Sequence, residues 1–99
     1  VKENNTVRHF FSWQLTAPDR FGNVSLFNAG PSTAYNVRIE PDNSTRIEPR
    51  SFYQHQVAAS GTSERFKAVR AGGAKFPSIR ILWTDRDRNA HSIVMEVKI

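Results

Sequence analysis

The chain contains no cysteine. That excludes a disulfide framework and any zinc site built on thiolates. It leaves the compartment undetermined, because cytosolic and bacterial extracellular proteins both tolerate the absence. No apolar run approaches the roughly 18 residues that a helical membrane span needs. The pattern of a secretory leader is missing as well. Acidic side chains are scarce, nine against fourteen Lys and Arg, for a formal net charge of +5. Such a balance permits nucleic acid, anionic lipid or an acidic protein as partner. The basic residues are scattered, however, and the densest pair, Arg86 and Arg88, is interleaved with Asp85 and Asp87. This distribution reads as a solvated surface more than as a polyanion site.

Catalytic signatures are lacking too. There is no G-x-S-x-G elbow, and Gly72-Gly73 has no Lys-Ser/Thr partner that would make it a phosphate loop. Most carboxylates have Arg neighbours, which suits ion pairing better than acid–base work. The three histidines, His9, His55 and His91, stand far apart without ligand spacing. The sharpest motif is Asp85-x-Asp87-x-Asn89 followed by Glu96, which matches the acidic positions of a calcium loop. Ala90 occupies the place that needs glycine. Were Ser92 to Ile99 a strand, Glu96 would also lie roughly 15 Å beyond Ser92. The segment therefore reads as a charge-balanced hairpin tip. No catalytic, cofactor or metal residue is assigned. Asn4, Asn23 and Asn43 head N-x-S/T sequons and are taken as chance occurrences.

What the chain does have is alternation and aromatic residues: seven Phe, two Trp and two Tyr argue against disorder. Residues 1–8 are polar and read as a linker or frayed end, with one domain over 9–99. Val1 replaces an initiating methionine, so a piece of a longer protein is expected. Phe11, Trp13 and Leu15 share a parity within a first strand, Phe10 to Thr16. The turn Pro18 to Asn23 follows, with Gly22 suited to a positive φ. Val24, Leu26 and Asn28 mark a second strand, and Tyr35, Val37 and Ile39 a third, closed by Pro41-Asp42-Asn43. Phe52 to Val57 is a weaker fourth, ahead of the turn Ser60-Gly61-Thr62. Ser63 to Gly72 fits either a short helix capped by Ser63 or a strand. The turn spacing of roughly 8–12 residues favours the strand. Ile79, Ile81 and Trp83, then Ile93, Met95, Val97 and Ile99, form a closing hairpin with one buried face.

About seven strands in this length suit an immunoglobulin-like β-sandwich of antiparallel strands. The run Asn23 to Ile39 places Asn28-Ala-Gly30 before Ala34-Tyr-Asn-Val37-Arg-Ile39, and a late strand ends Trp83-Thr-Asp85. This texture resembles bacterial immunoglobulin-like and fibronectin-type-III-like modules. No Cys pair frames the core Trp, so antibody-type domains are out. The resemblance implies adhesion, spacing or docking: a non-catalytic interaction or spacer module, partnered by another protein or by neighbouring domains. A small basic β domain that binds nucleic acid is the alternative. The expected core is Trp13, Leu15, Val24, Leu26, Val37, Ile39, Phe66, Ile79, Ile81, Trp83, Ile93, Met95 and Val97. Residues alternating outward from the third, sixth and seventh strands would set Arg38, Arg80 and Lys98 beside Leu82 and Val94. Arg next to exposed apolar side chains makes that sheet face the candidate protein-contact surface.

Overall fold

The computed structural model describes residues 11–73, 75 and 77–97. Among the described residues nine strands form three antiparallel sheets. They are β1 (Trp13–Leu15), β2 (Asn23–Val24), β3 (Leu26–Asn28), β4 (Ala34–Pro41), β5 (Thr45–Glu48), β6 (Phe52–Val57), β7 (Phe66–Arg70), β8 (Ser78–Thr84) and β9 (Ala90–Glu96). The sheets run β1-β3, β2-β7-β5 and β6-β4-β8-β9. No helix occurs among the described residues, and hence none long and apolar enough to cross a membrane. Phe10, Lys98, Ile99 and the proposed linker 1–8 lie outside the described residues.

Seven expected strands became nine for two physical reasons. The expected second strand changes partner at Ser25. Its first half pairs with β7 and its second with β1. At the switch, side-chain hydroxyls replace ladder bonds: Ser25 N donates to Thr16 Oγ1 (2.9 Å) and Leu26 N to Ser63 Oγ (2.9 Å). The added strand, β5, holds one large apolar residue, Ile47, between the Asp42 turn and Pro49. Four residues are too few for alternation to stand out. Within the 63–72 segment, Phe66–Arg70 is strand. Ser63 is buried, and its hydroxyl serves β3 instead of capping a helix.

The turn after β1 matches its expectation. Gly22 has φ 84°, and Asp19 Oδ1 accepts from Phe21 N (2.8 Å) and Asn23 N (2.9 Å). In β4 the strict alternation fails. Asn36 sits at φ 52°, and the register against β8 slips by one residue between Tyr35 and Arg38. A bulge of this kind swaps faces. Ala34 is therefore buried together with Val37, and Tyr35, which shares the parity of Val37 and Ile39, is only half-buried.

The interior is one apolar cluster fed by all three sheets. Trp13 meets Trp83 edge-on at 5.5 Å, and Phe52 meets Phe66 at 5.4 Å, so both contacts join different sheets. Ala34, Ile47, Phe52, Val57 and Ala68 belong to this core in addition to the expected residues. Leu15 and Met95 pack against its margin. Ile93 does not belong: it is 44% exposed. Its parity is the expected one, opposite Ile81. But β9 is the last strand of its sheet, and a groove of about 430 Å³ opens between Ile93 and Trp13.

Asn28 is fully buried and ties several segments together. Its Nδ2 donates to Ser32 O (2.8 Å) and Val57 O (3.3 Å), and its Oδ1 accepts from Gly30 N (3.2 Å). The loop 29–33 is thereby fastened to the end of β6.

Candidate functional site

The antiparallel registers decide which side chains share a face. Tyr53, Arg38, Leu82 and Ser92 fall in one row across β6, β4, β8 and β9. Glu40, Arg80 and Val94 fall in a neighbouring row. Both rows lie on the side opposite Ile39, Ile81 and Ile79, which are buried. Four of the five expected contact residues, Arg38, Arg80, Leu82 and Val94, thus stand together on the outer face of the four-stranded sheet. The fifth, Lys98, lies outside the described residues. Among the described residues neither Arg38 nor Arg80 is held in an ion pair. Val94 is 58% exposed.

Tyr53 is the addition that sequence reasoning missed. It is 56% exposed and stands opposite Arg38. Its hydroxyl donates to Asn36 Oδ1 (2.7 Å), and Asn36 Nδ2 donates to Thr84 Oγ1 (3.1 Å). This chain of side-chain bonds crosses three strands and fixes the phenol ring before any partner arrives. The bulge at Asn36 is what puts that amide within reach of both neighbours. The usable signal was the alternation Phe52-Tyr53-Gln54, which turns Tyr53 outward when Phe52 turns in.

At one end of the sheet a cleft of about 620 Å³ lies between loop 29–33 and the turn 85–89. Phe11, Pro31, Tyr35, Asp85 and His91 are among its lining residues. Asp85 organises the turn. Its Oδ1 accepts from Asp87 N (2.8 Å) and Asn89 N (2.9 Å), and its Oδ2 bonds His91 Nε2 (2.9 Å). The His91 bond first, then the backbone N–H groups, lower the carboxyl from its ordinary value to about 2. The imidazole stacks on Trp83 at 5.5 Å and 18°, and Phe11 closes on it at 5.1 Å. No hydroxyl among the described residues hydrogen-bonds this imidazole, so the pair has the form of a latch that holds the hairpin tip to the aromatic cluster. Both Asp85 oxygens are taken by protein donors, and Glu96 stands opposite Ser78 at the far end of the ladder from the tip. His55 is exposed on β6, and His9 lies outside the described residues.

Among the described residues no group of three or more His, Cys, Asp or Glu converges in a way that could hold a metal ion. On the outer sheet face charge, aromatic area and apolar exposure coincide over several strands; a smaller such spot is Phe21, 65% exposed with the Arg20 guanidinium 4.9 Å above its ring. No protein-family model, no curated protein and no solved structure matches this chain.

Proposed function

We propose that the chain is a non-catalytic interaction module on an immunoglobulin-like sandwich, and that the outer face of β6-β4-β8-β9 contacts another protein. Strand order supports the architecture. β4, β8 and β9 follow the C, F, G order of that fold, while β1, β2/β3, β7 and β5 follow A, B, E, D. The 27–62 bridge helps to connect the second series. The departure is β6, which returns to the outer edge of β4 after β5 has paired with β7.

The observation that carries the function is the pair of register rows in which Tyr53, Arg38, Leu82, Arg80 and Val94 are contiguous. Tyr and Arg are the residue types that dominate contact energies, and a fixed Tyr loses little freedom on docking. The test compares binding of the wild-type protein with that of the double variant Arg80→Glu, Leu82→Ser. A partner that uses this face should bind the variant at least about tenfold more weakly, as expected for loss of a central contact. Undiminished binding of every partner removes the proposal. A low-salt titration with single-stranded oligonucleotide runs beside it. Binding there with a steep salt dependence would favour the nucleic-acid reading instead.

A further inference from the structure

We infer that the free edge of β9 pairs with β9 of a second copy, antiparallel about a two-fold axis through Val94. The inference rests on the strand's own geometry and not on the contact-face reading.

Backbone direction comes first. Val97 N donates to Pro77 O (2.7 Å), and at the other end of the ladder Asp85 N donates to Asn89 O (3.0 Å). Odd-numbered residues of β9 therefore direct their N–H and C=O groups toward β8. Even-numbered Ala90, Ser92, Val94 and Glu96 direct theirs to the open side. Among the described residues no strand pairs there.

Natural edges are normally blunted by proline, lysine, bulges or brevity. Over Ala90–Glu96 β9 has no proline, lysine or bulge, its one acidic residue, Glu96, stands at its very end, and its seven pairs with β8 run without a register shift. The other strands at sheet edges differ. β6 is Gln-His-Gln in its middle, β5 is four residues carrying Arg46 and Glu48, and β1 is three residues. Ile93 and Val94, consecutive and on opposite faces, are two of the four large hydrophobic residues left exposed among the described residues. Solvation explains exposure on one face of an edge strand. Apolar exposure on both faces suits a strand with a neighbour alongside.

The sequence of β9 is self-complementary in one register. With Val94 on the axis, Val94 meets Val94, and Ile93 meets Met95 twice on the inner face. Glu96 meets Ser92 on the outer face, so no like charges oppose each other. Shifting the axis to Ile93 sets Val94 against Ser92 and His91 against Met95. Only the Val94 axis matches apolar to apolar on both faces. The result is a closed, isologous pair with the order β6-β4-β8-β9-β9-β8-β4-β6, whose polar outer strands stop further growth.

Because the chain lacks cysteine, one substitution reads the register directly. In an antiparallel homodimer only the axial residue faces its own copy, at about 5.5 Å between Cα atoms, within disulfide range. Ser92 would lie roughly 13 Å from its counterpart, beyond that range. The experiment combines sedimentation of the wild-type protein over a dilution series with mild oxidation of V94C and S92C. Expected are a monomer–dimer equilibrium, rapid disulfide-linked dimer for V94C and little for S92C. V94K, which opposes two ammonium groups, should raise the dimer dissociation constant at least tenfold while keeping the wild-type melting curve at dilutions where both proteins are monomeric. Reduced V94C should dimerise as the wild type does, so a folding defect in V94K would not decide the matter. Wild-type protein that stays monomeric at its solubility limit overturns the inference. Equal linking of S92C and V94C overturns it too, as does hydrogen-exchange protection of the Ser92, Val94 and Glu96 amides in the monomer.

Discussion

Truncating Trp83 is the sharpest probe of how the sheets are joined. The residue is 6% exposed and touches Trp13, Phe11 and His91 with ring centroids 5.3–5.5 Å apart. Replacement by Ala removes a large buried surface and three ring contacts at once. Aromatic-to-Ala changes in cores cost about 3–5 kcal/mol. For a domain of this size that lowers the melting temperature by roughly 15–30 °C. Trp83→Phe separates packing from hydrogen bonding. The indole Nε1 of Trp83 is buried without a hydrogen-bond partner among the described residues. Phe gives up no bond but leaves a cavity where the second ring stood, so its cost should be clearly smaller than that of Ala. Chemical denaturation followed by circular dichroism measures both variants. A Trp83→Ala cost under about 1 kcal/mol would place the ring outside the core. A Trp83→Phe cost equal to that of Ala would refute the unpartnered indole.

Two further perturbations test the elements that shape the loops. Asn28→Ala strands the carbonyls of Ser32 and Val57 and the N–H of Gly30, and should cost about 2–3 kcal/mol in the same denaturation assay. Asp85→Asn should destabilise the protein near neutral pH. The Asp85 carboxyl is lowered on folding to about 2, so its contribution is complete above the unfolded value near 4 and vanishes as pH falls through about 2. The stability gap between wild type and variant should narrow over that window, and a gap independent of pH would contradict the Asp85 bonds.

Sequence alternation located most of this fold where side chains alternate over five or more residues. The β8–β9 hairpin shows both its success and its limit. Ile79, Ile81 and Trp83 are buried as their parity predicts, yet Ile93 on the same face is not. Periodicity reports a face, whereas burial depends on what the opposite layer covers, and the edge position of β9 is a property of topology. The Asn36 bulge took Tyr35 off the face of Val37 and Ile39 despite their shared parity, because a positive-φ residue inside a strand leaves no mark in an apolar pattern. β5 was too short to register, and the β2/β3 switch depends on hydroxyls of Thr16 and Ser63 that are distant in sequence. On the outer face, parity alone assembled Arg38, Arg80, Leu82 and Val94. Tyr53 joined them only through the pairing of β6 with β4, and the Asp85–His91 latch only through the hairpin register, which brings a tip carboxylate back onto a strand histidine.

The most direct test of the proposed contact face is residue-level footprinting. Tyrosine and arginine side chains are chemically modified in the free protein and in its complex with a bound partner. Protection should fall on Tyr53, Arg38 and Arg80, while Arg46 and Arg65, exposed and outside the four-stranded sheet, stay reactive. Protection of Arg46 and Arg65 with Tyr53, Arg38 and Arg80 left reactive would contradict it.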